Sequence, residues 1–189
     1  MNNICVYCAS SERLKEGYKA AARDLGQIIG QQGKTLVYGG TNIGLMGEVA
    51  RTTKIFGGQV IGVIPQLIYD RGICNLQADE IIITEDMRQR KATMEKKADA
   101  FIALPGGFGT LEEVSEIITH KQLQYHQKPI VFLNTEGFYD PLNDFFEHLY
   151  LNEFARPAFR ALYHFAHSPE DAMDYLDNYT WNGLENKWN

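Results

Sequence analysis

Ala100-Phe101-Ile102-Ala103-Leu104-Pro105-Gly106-Gly107-Phe108-Gly109-Thr110-Leu111-Glu112-Glu113 is the stretch that decides the fold. Its first five residues are apolar throughout, a proline and three glycines follow, and the pattern then turns helical over 110–125. A short run that is apolar on both faces suits a parallel strand covered by helices on each side. The unit therefore reads as strand, glycine-rich turn, helix. The same alternation extends in both directions. Strand-like runs are ICVYC (4–8), TLVYG (35–39), QVIGVI (59–64), EIIIT (80–84), PIVFL (129–133) and a weaker LYHFA (162–166). Helical patterns cover 17–32, 43–56, 86–98, 138–150 and 169–178. Strand–helix alternation through the whole chain predicts an α/β fold, a doubly wound parallel sheet of about seven strands with helices on both faces. No repeat, low-complexity segment or linker interrupts it, so residues 1–189 are expected to form one domain. The irregular piece Pro65–Asp79 is long enough to suggest a functional loop or lid, and the tail after Tyr179 is expected to be peripheral.

In open α/β sheets ligands bind outside the carboxyl ends of the strands. Two glycine-rich turns fall there. One is Gly39-Gly40-Thr41-Asn42-Ile43-Gly44-Leu45-Met46-Gly47, and the other is Pro105–Thr110. Glycines let an anion approach backbone amides closely, and a helix N-terminus adds unpaired N–H groups and a favourable dipole. Each turn alone is also explained as an ordinary tight turn; two on one sheet edge point to a phosphate site. Neither is a dinucleotide fingerprint, because Thr41 stands where G-x-G-x-x-G needs glycine and the second turn lacks a third matching glycine. Gly33-Lys34-Thr35 precedes a strand instead of following one and lacks the first glycine of a P-loop.

The basic segment Met87-Arg88-Gln89-Arg90-Lys91 opens the helix after the fourth strand, on the same edge. It reads either as a solvated helix face or as a phosphate and ribose contact. Thr110-Leu111-Glu112-Glu113 has two readings as well. It is a capping-box sequence, with Thr110 as N-cap and Glu113 reaching back to its amide. It also sets a carboxylate beside the phosphate turn, where it suits the oxocarbenium-like state of N-glycosidic cleavage. Spacing leaves both open.

Composition excludes several classes. With 44% hydrophobic residues the chain can build a full core, and a net charge of −6 argues against a nucleic-acid or anionic-membrane binder. No apolar run approaches the roughly 20 residues of a membrane helix, and no signal peptide is evident at the N-terminus. Three cysteines cannot all pair, which suggests a reducing cytoplasm. Cys5 and Cys8 sit in a buried strand pattern, so core packing is expected of them rather than redox or zinc chemistry. The five histidines form no HExxH or other ligand spacing, so neither a metal nor a cofactor is expected.

Residues 105–113 match the PGGxGTxxE motif of the LOG ("Lonely Guy") family, the cytokinin riboside 5′-monophosphate phosphoribohydrolases once mislabelled lysine decarboxylases. ICVYCASS at the start, YGGTNIGLMG (38–47), GVIP (62–65), the M-x-x-RK-x-x-M pattern and ADAFIALPGG within 87–107, Thr119, Gln122-Leu123 and Lys128-Pro129 extend the match over roughly residues 4–178. The resemblance implies a Rossmann-like homodimer that hydrolyses the N-glycosidic bond of a nucleoside 5′-monophosphate, AMP or an N6-substituted relative, to free base and ribose 5-phosphate. It implies Arg90 and Glu113 as the catalytic pair. Gly39, Gly40, Gly44, Met87, Lys91, Gly106, Gly107, Phe108, Gly109, Thr110, Leu111, Glu112 and Thr119 would bind substrate, with the partner chain close to the site. Two positions depart from the family pattern: Thr41 replaces a third glycine, and Gly72 replaces an acidic residue for which Asp70 or Asp79 is the candidate substitute. The alternative is a non-catalytic binder, since a related group with this fold carries molybdenum cofactor.

Overall fold

The computed structural model describes residues 1–181 and 183. Its strands are β1 (Asn3–Tyr7), β2 (Thr35–Tyr38), β3 (Gln59–Pro65), β4 (Glu80–Thr84), β5 (Ala100–Ala103), β6 (Ile130–Leu133) and β7 (His164–Ala166). Helices α1 (Glu16–Gln31), α2 (Gly44–Ile55), α3 (Gln66–Tyr69), α4 (Met87–Lys97), α5 (Phe108–Gln122), α6 (Asp140–Leu151) and α7 (Pro169–Asp177) alternate with them. All seven strands join one sheet in the order β4-β3-β2-β1-β5-β6-β7, and every pairing is parallel.

The period-2 alternation of side chains splits the core into two layers. Ile4 and Val6 of β1 face one way, with Leu36, Val60 and Ile102, and pack under Leu25 and Ile29 of α1, Val49 of α2 and Leu176 of α7. Cys5 and Tyr7 face the other way, with Val37, Val63, Phe101 and Phe132, and pack under Met94 of α4 and Val114 and Ile117 of α5. Cys5 and Cys8 are free and buried, and burial pushes both thiols well above their ordinary range.

The chain winds outward from β1 to β4 on one side and from β5 to β7 on the other, so the crevice opens between the ends of β1 and β5. These two strands stay tied beyond their last ladder rungs, with Leu104 N–H donating to the Tyr7 carbonyl (2.9 Å) and Ala9 N–H to that of Pro105 (3.2 Å).

Two sequence expectations change. Helix α5 starts at Phe108 with Gly107 as its N-cap, so Thr110 is not the cap and no capping box forms. The chain therefore turns helical directly off the glycines. In the segment after Tyr179, Thr180 and Gly183 are exposed, but Trp181 packs inward. Tyr179 and Trp181 set their rings 5.0 and 4.7 Å from the ammonium of Lys121, which is fully buried and donates to the Leu162 carbonyl at 2.8 Å. Residues 182 and 184–189 lie outside the described residues.

Candidate active site

A cleft of about 520 Å³ opens at the switch point, and four segments line it. The loop after β1 gives Cys8, Ala9 and Ser10; the first glycine turn and the start of α2 give Gly39, Thr41, Ile43 and Met46. The long loop after β3 gives Pro65, Ile68, Arg71 and Ile73; α4 and α5 give Met87, Arg90, Gly107, Phe108, Gly109, Thr110 and Glu113.

Arg90 and Glu113 form an ion pair at the cleft floor, although 23 residues separate them. Each side chain is 9% exposed. Arg90 Nε also donates to the Val63 carbonyl at 3.1 Å, so the guanidinium is fixed by β3 as well as by α5. Burial raises the Glu113 carboxyl above its ordinary range, and the Arg90 charge pulls against that rise. The capping role proposed for Glu113 is thus replaced by a tertiary contact.

The two glycine turns differ in kind. A Cβ on Gly39 would lie 2.3 Å from Arg90 Nη2, and one on Gly44 would lie 2.6 Å from the Ser10 backbone. Gly40 and Gly44 also hold φ of +77° and +58°. The first turn needs glycine for its own packing and for the seat of Arg90. In the second turn, Gly107 and Gly109 have nothing within 4 Å of a Cβ and no left-handed φ. Among the described residues, nothing asks for glycine there. Their bareness leaves the first amides of α5 open to a ligand.

Among the residues singled out from sequence, the structure brings Gly39, Met87, Arg90, Gly107, Phe108, Gly109, Thr110 and Glu113 to one cleft. Gly40 and Gly44 shape the turn behind it, Leu111 packs against the core, and Gly106 abuts Thr110. Lys91 pairs with Glu112 and Glu116 along the outer flank of α4 and α5. Thr119 is exposed further along α5 and donates to the Ser115 carbonyl at 2.8 Å. Asp79 pairs with Lys54 and accepts from Val60 N–H, and Asp70 accepts from Gln66, so neither carboxylate reaches the cleft. Gly72 holds φ +73°, a turn geometry that a glutamate would strain.

Sequence reasoning marked 65–79 as a functional loop but did not show which of its residues reach the cleft or what holds them there. Asn42 N–H donates to the Ile73 carbonyl (3.0 Å), Asn75 N–H donates to that of Gly40 (2.9 Å), and Thr41 bridges Cys74 antiparallel. Thr41, the β-branched residue in a glycine turn, makes this bridge, which holds Arg71 and Ile73 beside the cleft. The available signal was the length of the irregular piece together with an arginine and two isoleucines within 68–73.

Fold and site together define a class: a doubly wound α/β protein with an open helix N-terminus and a buried arginine–glutamate pair at its switch point. The family model described as "possible lysine decarboxylase" matches residues 46–176. The chain is 42% identical to the probable cytokinin riboside 5′-monophosphate phosphoribohydrolase LOGL2 of Oryza sativa subsp. japonica, over 94% of this chain and 72% of the relative. It is 44% identical to the cytokinin riboside 5′-monophosphate phosphoribohydrolase LOG1 of Arabidopsis thaliana, over 93% of this chain and 83% of the relative. The chain belongs to the LOG family. Among solved structures, the molybdenum cofactor binding protein of Rippkaea orientalis shares the fold, with a TM-score of 0.73 and 24% identity over 93% of this chain and 95% of the other.

Proposed function

We propose that this protein hydrolyses the N-glycosidic bond of a nucleoside 5′-monophosphate, AMP or an N6-substituted AMP, to free base and ribose 5-phosphate. The observation that carries the reading is the Arg90–Glu113 pair at the floor of a cleft whose rim is the bare start of α5. The phosphate sits on the amides of Gly107–Thr110, which places the ribose over Glu113. As the C1′–N bond breaks, positive charge grows on the sugar, and the Glu113 carboxylate opposes it. Water then adds to C1′ with the carboxylate as base, and its proton goes on to the departing base. Arg90 keeps Glu113 ionised and in place. Ile43, Met46, Ile68 and Ile73 supply an apolar wall for the base.

A non-catalytic binder would need only the glycine turns; a buried charge pair is costly to assemble for binding alone, which favours the enzyme. We assign the protein to a homodimer whose partner approaches the outer flank of α4 and α5, where Lys91, Glu112 and Thr119 lie. Its three free cysteines suit a reducing compartment such as the cytoplasm. No helix among the described residues is long and apolar enough to cross a membrane. The test is release of adenine from AMP, and of the substituted base from isopentenyladenosine monophosphate, by purified protein. Glu113→Gln should lower kcat by about 10²–10⁴-fold, and wild-type turnover in that variant refutes the mechanism.

A further inference from the structure

Only three charged side chains line the cleft among the described residues: Arg71, Arg90 and Glu113. Arg90 and Glu113 neutralise each other. Arg71 forms no ion pair or side-chain hydrogen bond with any described residue, so the cleft keeps one uncompensated positive charge. The backbone around it is well held. Asp70 N–H donates to the Gln66 carbonyl (2.9 Å), Arg71 N–H to that of Ile68 (3.1 Å) and Gly72 N–H to that of Tyr69 (3.0 Å). Two residues on, the Ile73 carbonyl is tied to Asn42. A fixed backbone with an unengaged guanidinium over a cleft is a cation waiting for an anion.

A phosphate monoester carries about −1.5 to −2 charge at pH 7. The start of α5 offers it amides and a partial charge of about +0.5, which leaves much of that charge unmatched. We infer that Arg71 is a substrate-binding residue that pairs with the 5′-phosphate seated on Gly107–Thr110, closing the phosphate end from the side of the 65–79 loop. The inference rests on the phosphoribosyl reading of the cleft. It makes Arg71 the residue that selects monophosphates over nucleosides. The planar fork of arginine suits two phosphate oxygens at once, which lysine cannot match.

The experiment compares the wild-type chain with Arg71→Gln and Arg71→Lys. Both changes fall on an exposed side chain without partners, so the fold is retained. Loss of one charge-assisted contact should raise KM for AMP about tenfold or more in Arg71→Gln, with kcat within about twofold. Competitive inhibition by ribose 5-phosphate should weaken by the same factor. Arg71→Lys should recover part of both, and turnover of adenosine, which lacks the phosphate, should be unaffected. Unchanged KM and inhibition constant in Arg71→Gln overturn the assignment, as does a loss confined to kcat. If the wild type releases no base from any monophosphate, the functional reading fails. The phosphate assignment is then decided by calorimetric binding of ribose 5-phosphate alone, with weaker binding in Arg71→Gln supporting it and equal binding refuting it.

Discussion

Glu113→Leu and Arg90→Met leave opposite orphans, and the structure says which is worse. Both side chains are 9% exposed, so water rescues neither. Glu113→Leu strands a guanidinium that cannot lose its proton, and removing one partner of a buried pair costs about 3–5 kcal/mol. Arg90→Met strands a carboxyl that can neutralise itself by taking up a proton, and burial already favours that proton. Its cost is smaller, about 1–3 kcal/mol, and comes mainly from the Val63 carbonyl left without its donor. The double variant removes both charges and should recover most of the lost stability while remaining inactive. Urea unfolding of the four proteins at pH 7, beside a base-release assay, reads all of this. The pH dependence follows from the raised Glu113 carboxyl. A folded pKa above the unfolded one gives stability that is whole below the ordinary carboxylate range and is lost as pH rises through the folded value. The deficit of Arg90→Met should therefore grow from mildly acidic to neutral pH. If Arg90→Met is as unstable as Glu113→Leu, or the double variant no better than the worse single one, the charge reasoning is refuted.

The glycines give a paired prediction. Gly109→Ala should leave stability unchanged or raise it by up to about 1 kcal/mol, because alanine is the better helix former and meets nothing. It should nevertheless raise KM for the monophosphate; an unchanged KM would mean that no ligand approaches this amide. Gly39→Ala instead drives a methyl into the Arg90 guanidinium and should lower kcat, which steady-state kinetics would show. Lys121 is held by burial at a pKa of about 8, below its ordinary 10.5. A depressed folded value means stability rises with pH across that window, so the wild type should gain up to about 3 kcal/mol on Lys121→Met between pH 8 and 10.5 in unfolding experiments.

Strand positions were legible because each is a short apolar run, and in the central strands both faces go into core, as Ile4 and Cys5 illustrate on neighbouring positions of β1. The start of α5 was not. Thr110-Leu111-Glu112-Glu113 satisfies a local capping pattern, but Glu113 is claimed by Arg90 from another helix, and a local pattern carries no information about a partner 23 residues away. Arg71 and Ile73 escaped notice for the same reason, since their place depends on backbone bonds to residues 40 and 42 in a different loop. Lys121 resembles any charged helix residue until Tyr179 and Trp181 fold over it. The departures at Thr41 and Gly72 were visible in the sequence, and the structure gives them a shared purpose in shaping the 65–79 loop.

In the proposed reading, bond cleavage and the choice of base are carried by different pieces of chain. On that reading the sugar is met by α5 and by a pair of charges locked by β3, both rooted in the sheet, and Arg71 reaches the phosphate from the 65–79 loop. Part of the wall proposed to meet the base, Ile68 and Ile73, belongs to a surface loop tied to the first glycine turn by a one-residue bridge of two backbone bonds. Side chains at positions 68 and 73 can accordingly be exchanged to accept larger or smaller bases without disturbing the groups that break the bond. A change of base preference can therefore begin in this loop, with the catalytic floor left as it is.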